Sequence, residues 1–131
     1  MKSLLILIVL GLLTFNSFGL EPDKKTVKGM WSSTVATEYC KGENGKKDYS
    51  YEFESTLSLL NNTFIWDGMD LSGMFSIEEK GKTLVFVDGD HNNTVTTTWH
   101  IKKLTKNKLV IYRVQEREGC EYKVQIEFEK V

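Results

Sequence analysis

The residues of this 131-residue chain best suited to acid–base or metal chemistry are its two histidines, His91 and His100, and two small clusters of aspartates. Asp88, Asp90, His91 and Asn92 offer oxygen and imidazole donors within five positions, and Asp67 and Asp70 offer oxygens nearby in sequence. Calcium, however, needs six or more oxygens in a fixed array, and neither spacing follows a known cation loop. Both stretches read as solvated turns, and no metal or cofactor is expected. A histidine acts as a general base only within hydrogen-bond reach of the proton it removes. His91 falls in the polar turn and His100 on the outward parity of a strand, neither beside a plausible nucleophile. No Ser-His-Asp set, paired carboxylates or phosphate-cradling glycine loop emerges, so the chain is read as no enzyme.

The remaining reactive residues are Cys40 and Cys120, too far apart in sequence to suggest a zinc site. Their compartment is indicated by the first residues. Met1-Lys2-Ser3 carries one positive charge, Leu4 to Leu13 is apolar but for Gly11, and Ser17-Phe18-Gly19 sets small residues where a signal peptidase reads. This predicts a signal peptide over residues 1–19, cleaved after Gly19. The apolar run is shorter than the roughly 20 residues that span a bilayer, so the mature chain is expected to hold no integral membrane segment. The expected location is outside the cytoplasm, periplasmic or secreted, where a disulfide persists. Without residues 1–19 the chain carries 16 basic and 18 acidic side chains, with the lysines scattered. No basic field recommends nucleic acid as a partner.

Residues 20–26 are polar and include the one proline, Pro22, which predicts a flexible lead-in before a domain over residues 27–131. From there the pattern is period two. Trp31, Val35 and Tyr39 alternate with polar residues; Tyr49, Tyr51, Phe53, Leu57 and Leu59 continue the pattern after a charged loop. Short runs around Thr63 to Trp66, Phe75 to Ile77, Leu84 to Val87, Thr94 to Ile101 and Leu109 to Val114 follow. Tyr122, Val124, Ile126 and Phe128 form the last and cleanest alternation. Glycine, asparagine and charged turns separate the runs.

Eight strands joined by short turns predict an all-β fold, an eight-stranded antiparallel up-and-down β-barrel; an open two-sheet sandwich is the alternative. In such a barrel the first and last strands are antiparallel neighbours, so Cys40 at the end of one meets Cys120 at the start of the other. A bridge there would lock the seam. The alternative is two separate thiols. Cys40 shares the outward parity of Glu38 while Cys120 shares the inward parity of Tyr122, so a bridge requires a bulge or a bend at a strand end.

In layout the chain resembles the lipocalin-like families, in particular small bacterial lipocalin-like domains exported to the cell envelope. Gly29-Met30-Trp31 matches the G-x-W signature, and the run from Trp99 to Val110 leads into the alternating last strand. The resemblance implies that Trp31 packs across the closed end of the barrel and that an arginine from the far end of the chain stacks on it. That arginine is absent, the last residues being Lys130 and Val131. The T-D-Y signature is also absent.

This layout sets the loops at 41–48, 67–72, 88–93 and 116–119 at the open end. Strand parity sends Tyr39, Tyr51, Phe53, Phe75, Phe86, Trp99, Tyr112 and Tyr122 inward, with Trp66 near the rim. Aromatic walls with a few hydroxyls suit a small hydrophobic or amphipathic molecule. The same rings also suffice to plug a barrel of this size. The first case predicts a ligand carrier; the second predicts an interaction module that meets an envelope protein through its charged loops.

Overall fold

The computed structural model describes residues 19–42, 45–90, 93–117 and 119–131. Apart from Gly19, the leader over residues 1–19 lies outside the described residues, as do His91 and Asn92. The strands are β1 (Gly29–Gly42), β2 (Gly45–Leu59), β3 (Thr63–Asp67), β4 (Leu71–Glu78), β5 (Thr83–Asp90), β6 (Asn93–Leu104), β7 (Lys108–Arg117) and β8 (Cys120–Lys130). Each pairs antiparallel with the next, and β8 returns to β1, so the sheet is a closed barrel rather than an open sandwich. No helix interrupts it among the described residues.

Closure leaves no strand edge along the seam, but the β1–β8 ladder is not regular. Ser33 faces Phe128 and Ala36 faces Ile126, so β1 spends one more residue than β8 over that interval. Across β2 the slip runs the other way, Ser33 facing Ser55 and Val35 facing Glu52. A β-bulge of this kind shifts the side-chain parity of everything beyond it. Trp31 and Ser33 point inward before it; Ala36, Glu38 and Cys40 point inward after it. The sequence-based inward assignments of Val35 and Tyr39 are therefore reversed: Val35 is 44% exposed and Ala36 takes its place in the core.

The same bulge brings Cys40 to the parity of Cys120, and the two form a disulfide with Cα atoms 5.5 Å apart. It crosses the seam diagonally, from Cys40 opposite Tyr122 to Cys120 opposite Gly42.

The other end of the barrel is closed by the segment ahead of β1. The Leu20 N–H donates to the Leu104 carbonyl at 2.7 Å. Asp23 accepts the N–H groups of Lys25 and Thr26, each at 2.8 Å, and the Thr26 bond chiefly holds its carboxyl below the usual carboxylate range. These local bonds turn the chain so that Val27 drops fully into the core, where its carbonyl accepts the Trp31 indole N–H at 2.8 Å. From the end of β8, Lys130 reaches over the ring of Trp31. Its ammonium lies 4.6 Å from the Trp31 ring centroid and donates to the Lys28 carbonyl at 2.6 Å. Gly29, at φ 137°, sits beneath that side chain, where a Cβ would come within 2.6 Å of the ammonium nitrogen.

Two stability changes follow. Serine at both Cys40 and Cys120 is expected to lower the free energy of unfolding by about 4 kcal/mol through the reopened loop, read as a lower urea midpoint. Lys130→Met, which keeps the stem and removes the charge, should cost about 1 kcal/mol, whereas Lys130→Arg should cost little. A Lys130→Met variant as stable as the parent would show that the stacked ammonium contributes nothing.

Candidate functional site

The interior is divided into two levels. In the lower one, Trp66, Phe64, Phe86 and Phe128 are almost wholly buried, as are Leu57, opposite Trp66, Leu59, opposite Phe64, and Leu84. Trp66 is the hub: its ring centroid lies 5.7 Å from that of Phe86, 5.3 Å from Trp99 and 5.9 Å from Phe128. These tilted and edge-on contacts are the favoured geometries of packed rings. Trp66 thus sits at the centre of the barrel and not near its rim.

The indole N–H of Trp66 would be an orphan at this depth but for a hydroxyl chain at the β1–β2 slip. Trp66 donates to the Ser55 Oγ at 3.2 Å; the Ser55 and Ser33 hydroxyls are 2.7 Å apart; Ser33 donates to the Phe53 carbonyl at 3.1 Å. With Ser55 donating to Ser33, each donor in this chain has one acceptor, and no buried side-chain polar atom is left unsatisfied among the described residues. Two buried serines are tolerated in the wall for that reason.

Above this plug, towards the end that carries the β3–β4 and β7–β8 loops, lies a cavity of about 220 Å³. Four of the sequence-assigned rings line it: Tyr51, Phe53, Trp99 and Tyr122. Phe75, Phe86 and Trp66 are inward but belong to the core below it. Tyr39 and Tyr112 are not inside. Tyr39 follows the parity change of the bulge and faces the outer surface, under the Lys123 ammonium at 5.8 Å. Tyr112 stacks on His100 at 5.1 Å, opposite it across the β6–β7 pair and on the outward face assigned to His100. Parity in β7 is obscured because Leu109, Val110 and Ile111 are all buried, which leaves no polar alternation to read.

The remaining walls come from residues that aromatic patterning does not select. Met69, Val124 and Ile126 supply apolar surface, and Glu38, Arg113 and Gln115 supply polar groups. Glu38 owes its place to the bulge. Both cavity tyrosines turn to it: Tyr122 and Tyr51 each donate a phenol hydrogen bond to its Oε1, the latter at 3.5 Å. Burial raises the Tyr51 phenol above its ordinary value of 10.0, and the adjacent Glu38 carboxylate raises it further. Two strands along the wall, on β7, Arg113 places its guanidinium 5.4 Å from the Trp99 ring centroid. The parity conflict at Cys40 was the one signal in the sequence that a bulge lay in β1, and hence that Glu38 turned inward.

Among the described residues no group of three or more His, Cys, Asp or Glu side chains gathers as a metal site. Asp88 of the aspartate-rich stretch instead accepts the Ser72 backbone N–H at 2.7 Å, tying β5 to β4.

No protein-family model matches the chain, and no curated protein does. Among solved structures it is similar to insecticyanin, a lipocalin from the tobacco hornworm Manduca sexta, with a TM-score of 0.53 and 13% identity. The match covers 84% of this chain and 64% of that one. At this identity the likeness is one of fold: a closed eight-stranded barrel of lipocalin-like type.

The Tyr51–Glu38 contact gives a titration prediction. Because the folded chain holds the Tyr51 proton more tightly than the unfolded chain does, this group's contribution is complete below pH 10 and is lost as pH rises through the raised value. Glu38→Gln should move the Tyr51 titration back towards the ordinary phenol range, followed by the ring resonances in an alkaline NMR titration. An unchanged Tyr51 midpoint in that variant would exclude Glu38 as a cause.

Proposed function

We propose that the chain is exported and carries a small hydrophobic or amphipathic molecule in the cavity above Trp66. The observation behind this reading is the cavity itself, about 220 Å³ within a barrel whose lower half is fully packed. A plugged barrel would fit an interaction module better. Here the rings fill one level and stop, and the next level combines apolar walls with inward phenols, the arrangement that binds and orients a small ligand. Export is supported by the Cys40–Cys120 bridge and by the leader pattern of residues 1–19. Cleavage after Gly19 would leave Leu20 as the first residue, with its nitrogen already at the Leu104 carbonyl.

Val124 lies midway across the cavity wall, between Glu38 on β1 and Arg113 on β7, so filling its position tests the reading with little disturbance below. Native mass spectrometry of the parent chain from its own host is expected to show a non-covalent adduct of small mass, lost on unfolding. Val124→Trp should remove the adduct while the chain still unfolds cooperatively. A parent chain that carries no adduct, and a Val124→Trp variant that enhances the emission of an added apolar fluorophore as much as the parent does, would overturn the carrier reading.

A further inference from the structure

Resting on that reading, we infer that Arg113 is the anchor for an acidic head group, and that the ligand class is a small organic acid: a carboxylate on a single ring or short chain. The argument begins with what Arg113 does not do. A buried or half-buried arginine in a barrel wall ordinarily finds a carboxylate, and one is present in the same cavity. Yet Arg113 and Glu38 each face Val124, from opposite sides. Two strand spacings therefore separate their backbones, about 10 Å. Glu38 is instead met by the phenols of Tyr51 and Tyr122. Its charge is held by hydrogen bonds that the cavity itself provides.

Arg113 has no such arrangement. Its contact with the described residues is with the face of Trp99. A ring-face contact fixes the guanidinium and favours its charge but consumes none of its five N–H donors. Those donors line the cavity, with Gln115 two residues along the same face of β7. A planar fork held in place on an aromatic ring, with unspent donors and an apolar floor of Phe53 and Ile126 beside it, matches a carboxylate on an apolar body. The volume limits that body. At about 30 Å³ per water-sized group, 220 Å³ holds about seven such groups, a head and one ring, with any longer tail leaving past Gln115. Glu38 in the same cavity disfavours a doubly charged head, since like charges in a shared site repel.

The test uses three probes that share a benzyl body and differ in the charge of the head: phenylacetate, phenylacetamide and phenethylamine. Each is titrated into the disulfide-bonded chain and into Arg113→Gln, by calorimetry and by NMR of the Trp99 and Arg113 side chains. The expected result is that phenylacetate binds at least about tenfold more tightly than phenylacetamide. Arg113→Gln should bring the acid down to the amide's affinity and leave the amide within about twofold, which also shows that the variant is folded. Equal binding of acid and amide by the parent, a preference for the amine, or an acid preference that survives Arg113→Gln would each overturn the inference while leaving a working carrier. Failure of all three probes to bind at millimolar concentration would overturn the cavity reading, and the inference with it.

Discussion

Every other part of the structure rests on the β1–β8 ladder. Without it the remaining seven pairings make a twisted open sheet with two long exposed edges, a template for aggregation. With it the sheet closes and every inward side chain meets one core. Two features reinforce the seam at opposite ends. The Cys40–Cys120 bridge joins it at the cavity end, and Lys130 lies over Trp31 at the other, where Val131 also donates to the Met30 carbonyl at 3.0 Å. The covalent bond acts mainly by restricting the unfolded chain; the ring contact acts in the folded one.

The bulge within this ladder links closure to the site. A regular β1 would have carried Val35 and Tyr39 inward in the pattern its sequence suggests; the extra residue turns Ala36, Glu38 and Cys40 inward instead. One local irregularity thereby makes the disulfide geometrically possible and plants a carboxylate in the cavity. The opposing slip against β2 is held by the Ser33–Ser55 hydroxyl pair, which also satisfies the Trp66 indole. Polar groups in this interior are thus confined to places where the backbone departs from a regular ladder or where the cavity begins.

The division of the interior follows from side-chain volume. Large rings from β3, β5 and β8 meet across the axis and leave no space, with Phe64 and Phe86 centroids 4.5 Å apart. Above Trp66 the inward residues of β1 and β8 are smaller or longer and polar, and their tips pair with one another rather than crossing the barrel. A cavity remains because Tyr51 and Tyr122 both turn to Glu38 along one wall while Arg113 lies over Trp99 along another.

Strand count, the meander, the Gly29-Met30-Trp31 opening of β1 and most of the packed core were legible in the chain alone, because period-two alternation and turn residues are local properties. So was the inward placement of Tyr51, Phe53, Trp99 and Tyr122, since each of their strands keeps its own alternation through those positions, β2 even across its slip against β1. Other placements waited for the strands to meet. A bulge is a property of two strands and cannot be read from one, so Glu38 and Tyr39 exchanged faces only when β1 met β8. Tyr112 was placed by pairing with His100 in β6, after three consecutive buried residues had erased the alternation in β7. Arg113 carries no periodic signal of its own; its position over Trp99 is the result of strands distant in sequence closing around one cavity.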